Sequence, residues 1–328
     1  LRETENLFKS NLLKLQTTEL LGEVHGSSRL PSKVDAWVQS VKELLVSIKS
    51  ENRKIGIKFI KAKKFTNLDL VNPSVSIEFA PPVEVSQIGS SSLHAQTKPY
   101  MNVDISVTMP ESLFEEHDIQ NYIYFDKRKL FLAVIADSLS RGGVGALSFG
   151  LFKGDARKPI IILEPTGFKS SFQIRIIPCL PGTCVVMKKS ALKLGKNNVR
   201  PQWWQDPVAA HKEAQAKGRK STAPILDASK LVPTPDYNMC ILEDMVVNTH
   251  FQILNQVVSH HCTVAASVIV LLKVWLTQTT LRFRHDCLDG HSVSLLVAYL
   301  VQNRMINSTM TAIQGFQVCV KFIADWPF

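Results

Sequence analysis

The chain is short of negative charge, and it has little that could cross a membrane, hold zinc or form disulfides. Its 328 residues carry 28 Asp and Glu against 38 Lys and Arg, a formal net charge of +10. Such an excess favours a polyanionic partner and is silent about fold. The longest apolar run, Val264 to Leu272, stops at Lys273, well short of the ~20 residues a bilayer-spanning helix needs, and no signal peptide is visible. The six cysteines (Cys179, Cys184, Cys240, Cys262, Cys287 and Cys319) form no Cys-x-x-Cys pair and have no histidine at zinc-ligand spacing. They read as reduced, structural thiols of a cytosolic or nuclear protein. Hydrophobic residues at 45% and charged residues at 20% exclude wholesale disorder, and the length allows two domains with cores of their own. The chain starts at Leu1 without methionine and stops at Phe328 after an apolar run, as expected of a piece of a longer protein.

Periodicity divides what is present. Asn11 to Leu21 is a Leu-rich helix. After Pro31, the residues Val34, Trp37, Val38, Val41, Leu44, Leu45 and Ile48 recur at helical spacing. This predicts an amphipathic helix with Ser32 as N-cap and Asp35 three residues on, packed on a sheet. Short β-like runs follow at Ile55 to Ile60, Val75 to Phe79, Val83 to Ile88 and Val103 to Val107, punctuated by Asn72-Pro73, Pro81-Pro82 and Gly89-Ser90. A helix over Lys127 to Leu139 and strands at Ala146 to Phe152, Pro159 to Leu163 and Phe172 to Ile177 complete an α+β unit with a mixed sheet ending near Cys184. Beyond Tyr237 the chain is helical. Ile253 to Leu276, apolar on nearly every side, predicts one central buried helix, and Ser292 to Gln302 another. No internal repeat is found.

Gly89-Ser90 between two strands, then Val103-Asp104-Ile105-Ser106-Val107, marks the candidate site. In polymerase-beta-type nucleotidyltransferases the second strand reads acid, apolar, acid, because residues i and i+2 share a sheet face and hold two metal ions together. Here Ser106 occupies the second acidic position, and a hydroxyl is a poor substitute for a carboxylate beside two divalent ions. The third carboxylate belongs on a later strand, where the inward candidates are Gln173 and Arg175, neither acidic. Arg175 puts a cation where a metal belongs. Gly89 and Ser90 still suit an anion, although a tight turn asks for glycine in any case. The catalytic set is therefore read as degenerate, with no metal ligand and no cofactor. The rival reading is an active Mg²⁺-dependent RNA nucleotidyltransferase in which Glu84, Glu111 or Glu164 stands in for the missing acids.

In the helical half, Leu271-Leu272-Lys273-Val274-Trp275 and Leu288-Asp289-Gly290-His291-Ser292-Val293-Ser294-Leu295-Leu296-Val297 resemble the helical domain that follows the catalytic domain in poly(A) polymerases, CCA-adding enzymes and oligoadenylate synthetases. Lys273 falls where it can face the nucleotide cleft in such relatives, although a lysine on an apolar helix more often snorkels or pairs with an acid. His250, His260, His261 and His291 read as core or surface histidines. The segments SNLLKLQTTELLGEV, PYMNVDISVTMP, NYIYFDKRKLFLAVIADSL, YNMCILEDM and GHSVSLLVAYLVQNRM resemble the amino-terminal region of the nucleolar Nrap family. That resemblance implies a polymerase-beta-type nucleotidyltransferase-like domain over residues 1–186, catalytically degenerate, a basic connector over 187–236, and a poly(A) polymerase/oligoadenylate synthetase-like helical domain over 237–328. It further implies a nucleolar component of the small-subunit processome without transferase activity. Its partners would be pre-ribosomal or small nucleolar RNA, other processome proteins and the downstream domains of its own chain.

Between Met187 and Lys220 stand nine Lys and Arg against Asp206 and Glu213, most of the chain's excess. The cations Lys188, Lys189, Lys193, Lys196, Arg200, Lys217, Arg219 and Lys220 surround Trp203-Trp204, a composition that suits RNA phosphates and stacked bases. The competing reading is a solvated linker whose tryptophans dock on a protein. Lys58, Lys61, Lys63 and Lys64 form a second basic cluster.

Overall fold

The computed structural model describes residues 2–26, 30–50, 54–99, 101–167, 171–184, 192–199, 232–279 and 288–326, with side chains from residue 11 onward in the first helix. Five strands make the main sheet: β3 (Glu84–Ile88), β4 (Met101–Thr108), β7 (Phe172–Cys179), β6 (Asp155–Glu164) and β5 (Ala146–Phe152), in that spatial order. Only β4 and β7 run parallel; the other pairs are antiparallel. A small sheet pairs β1 (Lys54–Gly56) with β2 (Ser76–Glu78). Alternation decides which face is which. Val103, Ile105 and Val107 of β4, with Ile174 and Ile176 of β7, point to the first core, each contributing about 1.5–3 kcal/mol by burial. Asp104, Ser106 and Arg175 take the opposite face.

Helix α5 (Ile123–Gly142) covers the core face and is buried on almost all sides. It ends at Gly143, whose φ of 63° is the left-handed cap that glycine adopts without strain. Helix α2 (Ser32–Ser47) buries Val34, Trp37, Val38, Val41 and Leu45 against α5 and the edge strand β3. The helical half consists of α6 (Pro235–Gln256), α7 (Ala265–Gln278), α8 (Gly290–Gln302) and α9 (Ala312–Ala324). Helix α8 is capped by Asp289 and α9 by a Thr311/Gln314 capping box. The long α1 (Arg2–Val24) packs on α7 and α9. The two cores share elements: Leu93 and Ala95 lie in the helical core, while Tyr237, Ile241 and Met245 of α6 lie in the first.

Four local expectations are corrected. Ile57–Ala62 is a short helix, α3, not a strand. A strand would bury Lys58 beside Ile60, whereas a helical turn sends Ile57 and Ile60 inward and Lys58 and Lys61 out. Ser32 opens α2 instead of capping it. Pro31 holds the cap position without a side-chain bond, its carbonyl accepting from the Val34 and Asp35 amides. The single buried helix over Ile253 to Leu276 is two, since α6 passes through a π-turn at Val257–His261 and the chain extends at Cys262 (φ −150°, ψ 101°). Exposed Ser259, His260 and His261 occupy that break. Finally, Gly89–Ser92 winds into a one-turn helix, α4, rather than a simple turn.

Buried charges join the two halves. Arg128 of α5 is fully buried; it donates from Nε to Asp244 Oδ2 (3.0 Å), from Nη1 to the Pro159 carbonyl (2.7 Å) and from Nη2 to the Pro178 carbonyl (3.2 Å). The Tyr124 hydroxyl donates to Asp244 Oδ2 (2.7 Å), and the Lys158 ammonium pairs with Asp244 Oδ1 (2.7 Å) and Glu243 Oε2 (2.6 Å). At the tip of the β5–β6 hairpin, Lys153 bridges Glu243 (2.7 Å) and Asp289 (3.1 Å). Beside it His291 Nε2 and His250 Nδ1 lie 3.4 Å apart. Burial, with the Lys153 ammonium adding to it, pushes His291 down to about 4 and lowers His250 as well.

Removing one partner of a buried pair strands the other. Asp244→Ala is expected to lose about 3–5 kcal/mol of stability, read from urea unfolding, because Arg128 and Lys158 stay buried without their carboxylate. His291 gives a pH dependence with a defined sign. The unfolded chain protonates it near 6.5 and the folded chain only near 4, so the unfolded state takes up the extra proton as pH falls through that window and stability drops. The urea midpoint should fall between those pH values, and His291→Gln should show a flatter acid limb than the wild type.

Candidate functional site

The site grows from the meeting of β3, α4, β4 and β7. Strand β3 ends at Ile88, and Gly89 turns the chain at φ +78°. A Cβ at Gly89 would stand 2.5 Å from Asp104 Oδ2, so the backbone approaches the acid more closely than any side chain allows. Asp104 lies opposite Ile88 on β3 and opposite Arg175 on the parallel neighbour β7. That register brings carboxylate and guanidinium together. Arg175 Nε donates to Asp104 Oδ1 at 2.6 Å and Nη2 to Oδ2 at 2.8 Å, a two-pronged bond that engages both oxygens. Burial alone would depress the Arg175 guanidinium, but Asp104 outweighs it and raises its pKa above the ordinary value.

Ser106 is fully buried and its hydroxyl donates to the Ser86 carbonyl at 3.3 Å. The same face carries Ile88, Ile160 and Ile177, which pack with Phe152 and with Val247 and Phe251 of α6. Asn248 of α6 adds a bond to the Thr108 hydroxyl at 3.1 Å. The end of the sheet where a second metal-binding acid would project is therefore covered by apolar side chains. Gln173 donates to Glu164 at 2.8 Å. Ser90 lies in α4, where its carbonyl accepts from the Ala95 amide.

The three substitute acids are dispersed. Glu84 stands opposite Thr108, four residues along the ladder from Asp104, which is roughly 13 Å of strand, and accepts from the Ser86 hydroxyl at 2.6 Å. Glu164 is held by Gln173 at the end of β6. Glu111 opens a 3₁₀ turn beyond β4. Among the described residues no three of His, Cys, Asp and Glu are placed to hold a metal ion. With the Arg175 guanidinium on both oxygens of Asp104, the described part of the site is an internal ion pair that holds charge in place.

Lys273 donates to the Ala95 carbonyl at 2.7 Å, tying α7 to the loop that follows α4. Of the connector candidates, Lys193 and Lys196 are exposed. Their carbonyls accept from Asn238 of α6, and that of Lys196 also from Thr234. Lys188, Lys189, Arg200, Trp203, Trp204, Lys217, Arg219 and Lys220 lie outside the described residues. Sequence reasoning missed Arg128, Lys158, Glu243 and Asp244. The available signal was the Asp-Lys-Arg-Lys and Glu-Asp clusters inside otherwise apolar helices, since charge on a buried face must be paired.

Residues 38–260 match a family model described as Nrap protein domain 1. Nucleolar protein 6 of Homo sapiens is 33% identical over 330 residues, and that of Mus musculus 32% identical over 330; each alignment covers 99% of this chain and 27% of the relative. The Xenopus laevis protein of the same name is 31% identical over 341 residues. The chain thus spans 27% of the length of these curated relatives. Solved structures include a cytoplasmic RNA terminal U-transferase, 11% identical, with a TM-score of 0.45 over 96% of this chain and 72% of that one. CdnC of E. coli MS115-1 with ATP is 12% identical, with a TM-score of 0.43 over 94% and 71%.

Gly89→Ala tests the site's packing. Left-handed backbone and a methyl group set against Asp104 should together cost about 1–3 kcal/mol, read as a lowered thermal midpoint, whereas Ser91→Ala nearby should have little effect.

Proposed function

The chain belongs to the Nrap family, and on that premise we propose that it is a non-catalytic scaffold and RNA-binding component of the nucleolar small-subunit processome, acting in pre-ribosomal RNA processing. The observation that carries this reading is the Asp104–Arg175 fork. A metal ion entering there has to displace a guanidinium that already satisfies both carboxylate oxygens, and among the described residues no second acid is placed to help hold it. The Nucleolar protein 6 relatives support the nucleolar setting, and the net charge of +10 supports a polyanionic partner. Residues 1–186 serve as a transferase-like module, 187–236 as a basic connector and 237–328 as a helical module, with RNA, processome proteins and the family's further domains as partners. The mechanism is electrostatic and steric: lysines and arginines neutralise phosphates, and a rigid two-part body fixes where partners sit.

The test is incorporation of labelled ribonucleotide at an RNA 3′ end in the presence of Mg²⁺. Wild type and Asp104→Ala are expected to give the same background. Extension that disappears in Asp104→Ala would refute the non-catalytic reading in favour of an active transferase with substitute carboxylates.

A further inference from the structure

Helix α3 and the turn after it present Lys58, Lys61, Lys63 and Lys64 to solvent within seven residues. The platform beneath is fixed. Ile55, Ile60 and Leu68 are buried in the first core, and Phe65 packs edge-on against Phe149 of β5 at 5.3 Å. Lys63 is anchored, its ammonium 2.6 Å from Asp137 Oδ1 and over the Phe59 ring. Lys58, Lys61 and Lys64 have no carboxylate partner among the described residues. The exposed acids of that region are Asp69, five residues after Lys64, and Glu78, opposite Lys54 on the neighbouring strand pair.

Two features of this segment run against local stability. Lys58 and Lys61 sit three residues apart on one helical face, a repulsive spacing for like charges. Lys64 adopts φ +58°. It occupies the position that ends α3 in a Schellman arrangement, with the Phe65 amide bonded to the Ile60 carbonyl and the Lys64 amide to the Lys61 carbonyl. Glycine is the ordinary residue there, because a side chain is strained in left-handed backbone. A cation is held where backbone chemistry asks for none, and strain of this kind gathers at working surfaces. Across residues 57–67 the exposed side chains are Lys58, Lys61, Ala62, Lys63, Lys64, Thr66 and Asn67, without the apolar centre that a protein interface requires.

From these observations we infer that the α3 edge is a phosphate-contacting surface for RNA, distinct in sequence from the basic connector. The inference rests on the RNA-binding part of the proposed function and locates one place where that binding occurs. Neutralised phosphates release condensed counterions, so each lysine contributes to the salt dependence of affinity.

The experiment measures binding of a fluorescently labelled RNA hairpin by anisotropy across a KCl series, alongside thermal melting. The triple variant Lys58→Ala/Lys61→Ala/Lys64→Ala is expected to bind about tenfold more weakly at low salt, with the log–log salt slope reduced by roughly two to three. Lys64→Gly should separate the two roles by moving them in opposite directions, raising the melting midpoint while weakening binding by about two- to threefold. A melting midpoint that falls in Lys64→Gly would overturn the strain argument. Wild-type affinity and slope in the triple variant, with loss of binding in Lys188→Ala/Lys189→Ala/Arg200→Ala, would overturn this surface and leave the RNA-binding function standing. A wild-type chain that binds no RNA overturns both. Competition by polyglutamate as effective as that by unlabelled RNA would reassign the edge to an acidic protein.

Discussion

Asp244 is the residue on which the arrangement of the two halves depends. One carboxylate receives Tyr124, Arg128 and Lys158, and each belongs to the sheet half while Asp244 belongs to α6. Burying so many charges is costly unless every one is satisfied in a defined geometry, so α6 has essentially one way to sit. That placement has consequences farther along the helix. Val247, Asn248 and Phe251 follow within two turns and come down on the sheet face beside Ser106. The same constraint that unites the halves therefore closes the place where a second acid would need open space for metal and nucleotide.

Asp104 and Arg175 follow the same logic on a smaller scale. An isolated strand carboxylate, only 8% exposed, has to be paired or neutralised. In a two-metal site cations do this work; here a guanidinium one strand away does it, held in register by the parallel β4–β7 ladder. A resident guanidinium is covalently tethered and aligned with both oxygens, whereas a divalent ion must dehydrate to enter. Gly89 completes the arrangement by bringing backbone against Oδ2. The glycine turn long associated with phosphate binding is used in this chain to pack around an internal ion pair.

How much of this could be read beforehand depends on range. Alternation along Met101–Thr108 and Phe172–Cys179 is a local property, so the strands, the vacancy at Ser106 and the cation at Arg175 were visible in the sequence. That Arg175 would meet Asp104 depended on strand register and on which strands are neighbours, neither of which periodicity encodes. The errors have a common cause. Ile57–Ala62 contains too few residues to distinguish periods of 2 and 3.6, and the apolar stretch through Cys262 hid a break because hydrophobicity on every side carries no phase. Arg128 and Asp244 give no sign of burial in periodicity, because charged residues ordinarily lie at the surface. The two lie 116 residues apart in sequence, and only tertiary structure brings them together.

A body so fixed internally has its freedom to evolve new contacts at the rim. Charges on the sheet and where the halves meet are committed to one another: Lys158 to Glu243 and Asp244, Lys153 to Glu243 and Asp289, Arg175 to Asp104. The positive excess that remains for a partner comes from cations without such commitments, and among the described residues Lys58, Lys61 and Lys64 stand together on α3 and the turn after it. Lys64 shows the distinction at a single residue. Its left-handed backbone carries a strain that no ion pair of its own side chain offsets among the described residues. By the same reasoning the packed ion pair of Asp104 and Arg175 belongs to the interior that holds the dispersed surface charges at fixed spacings.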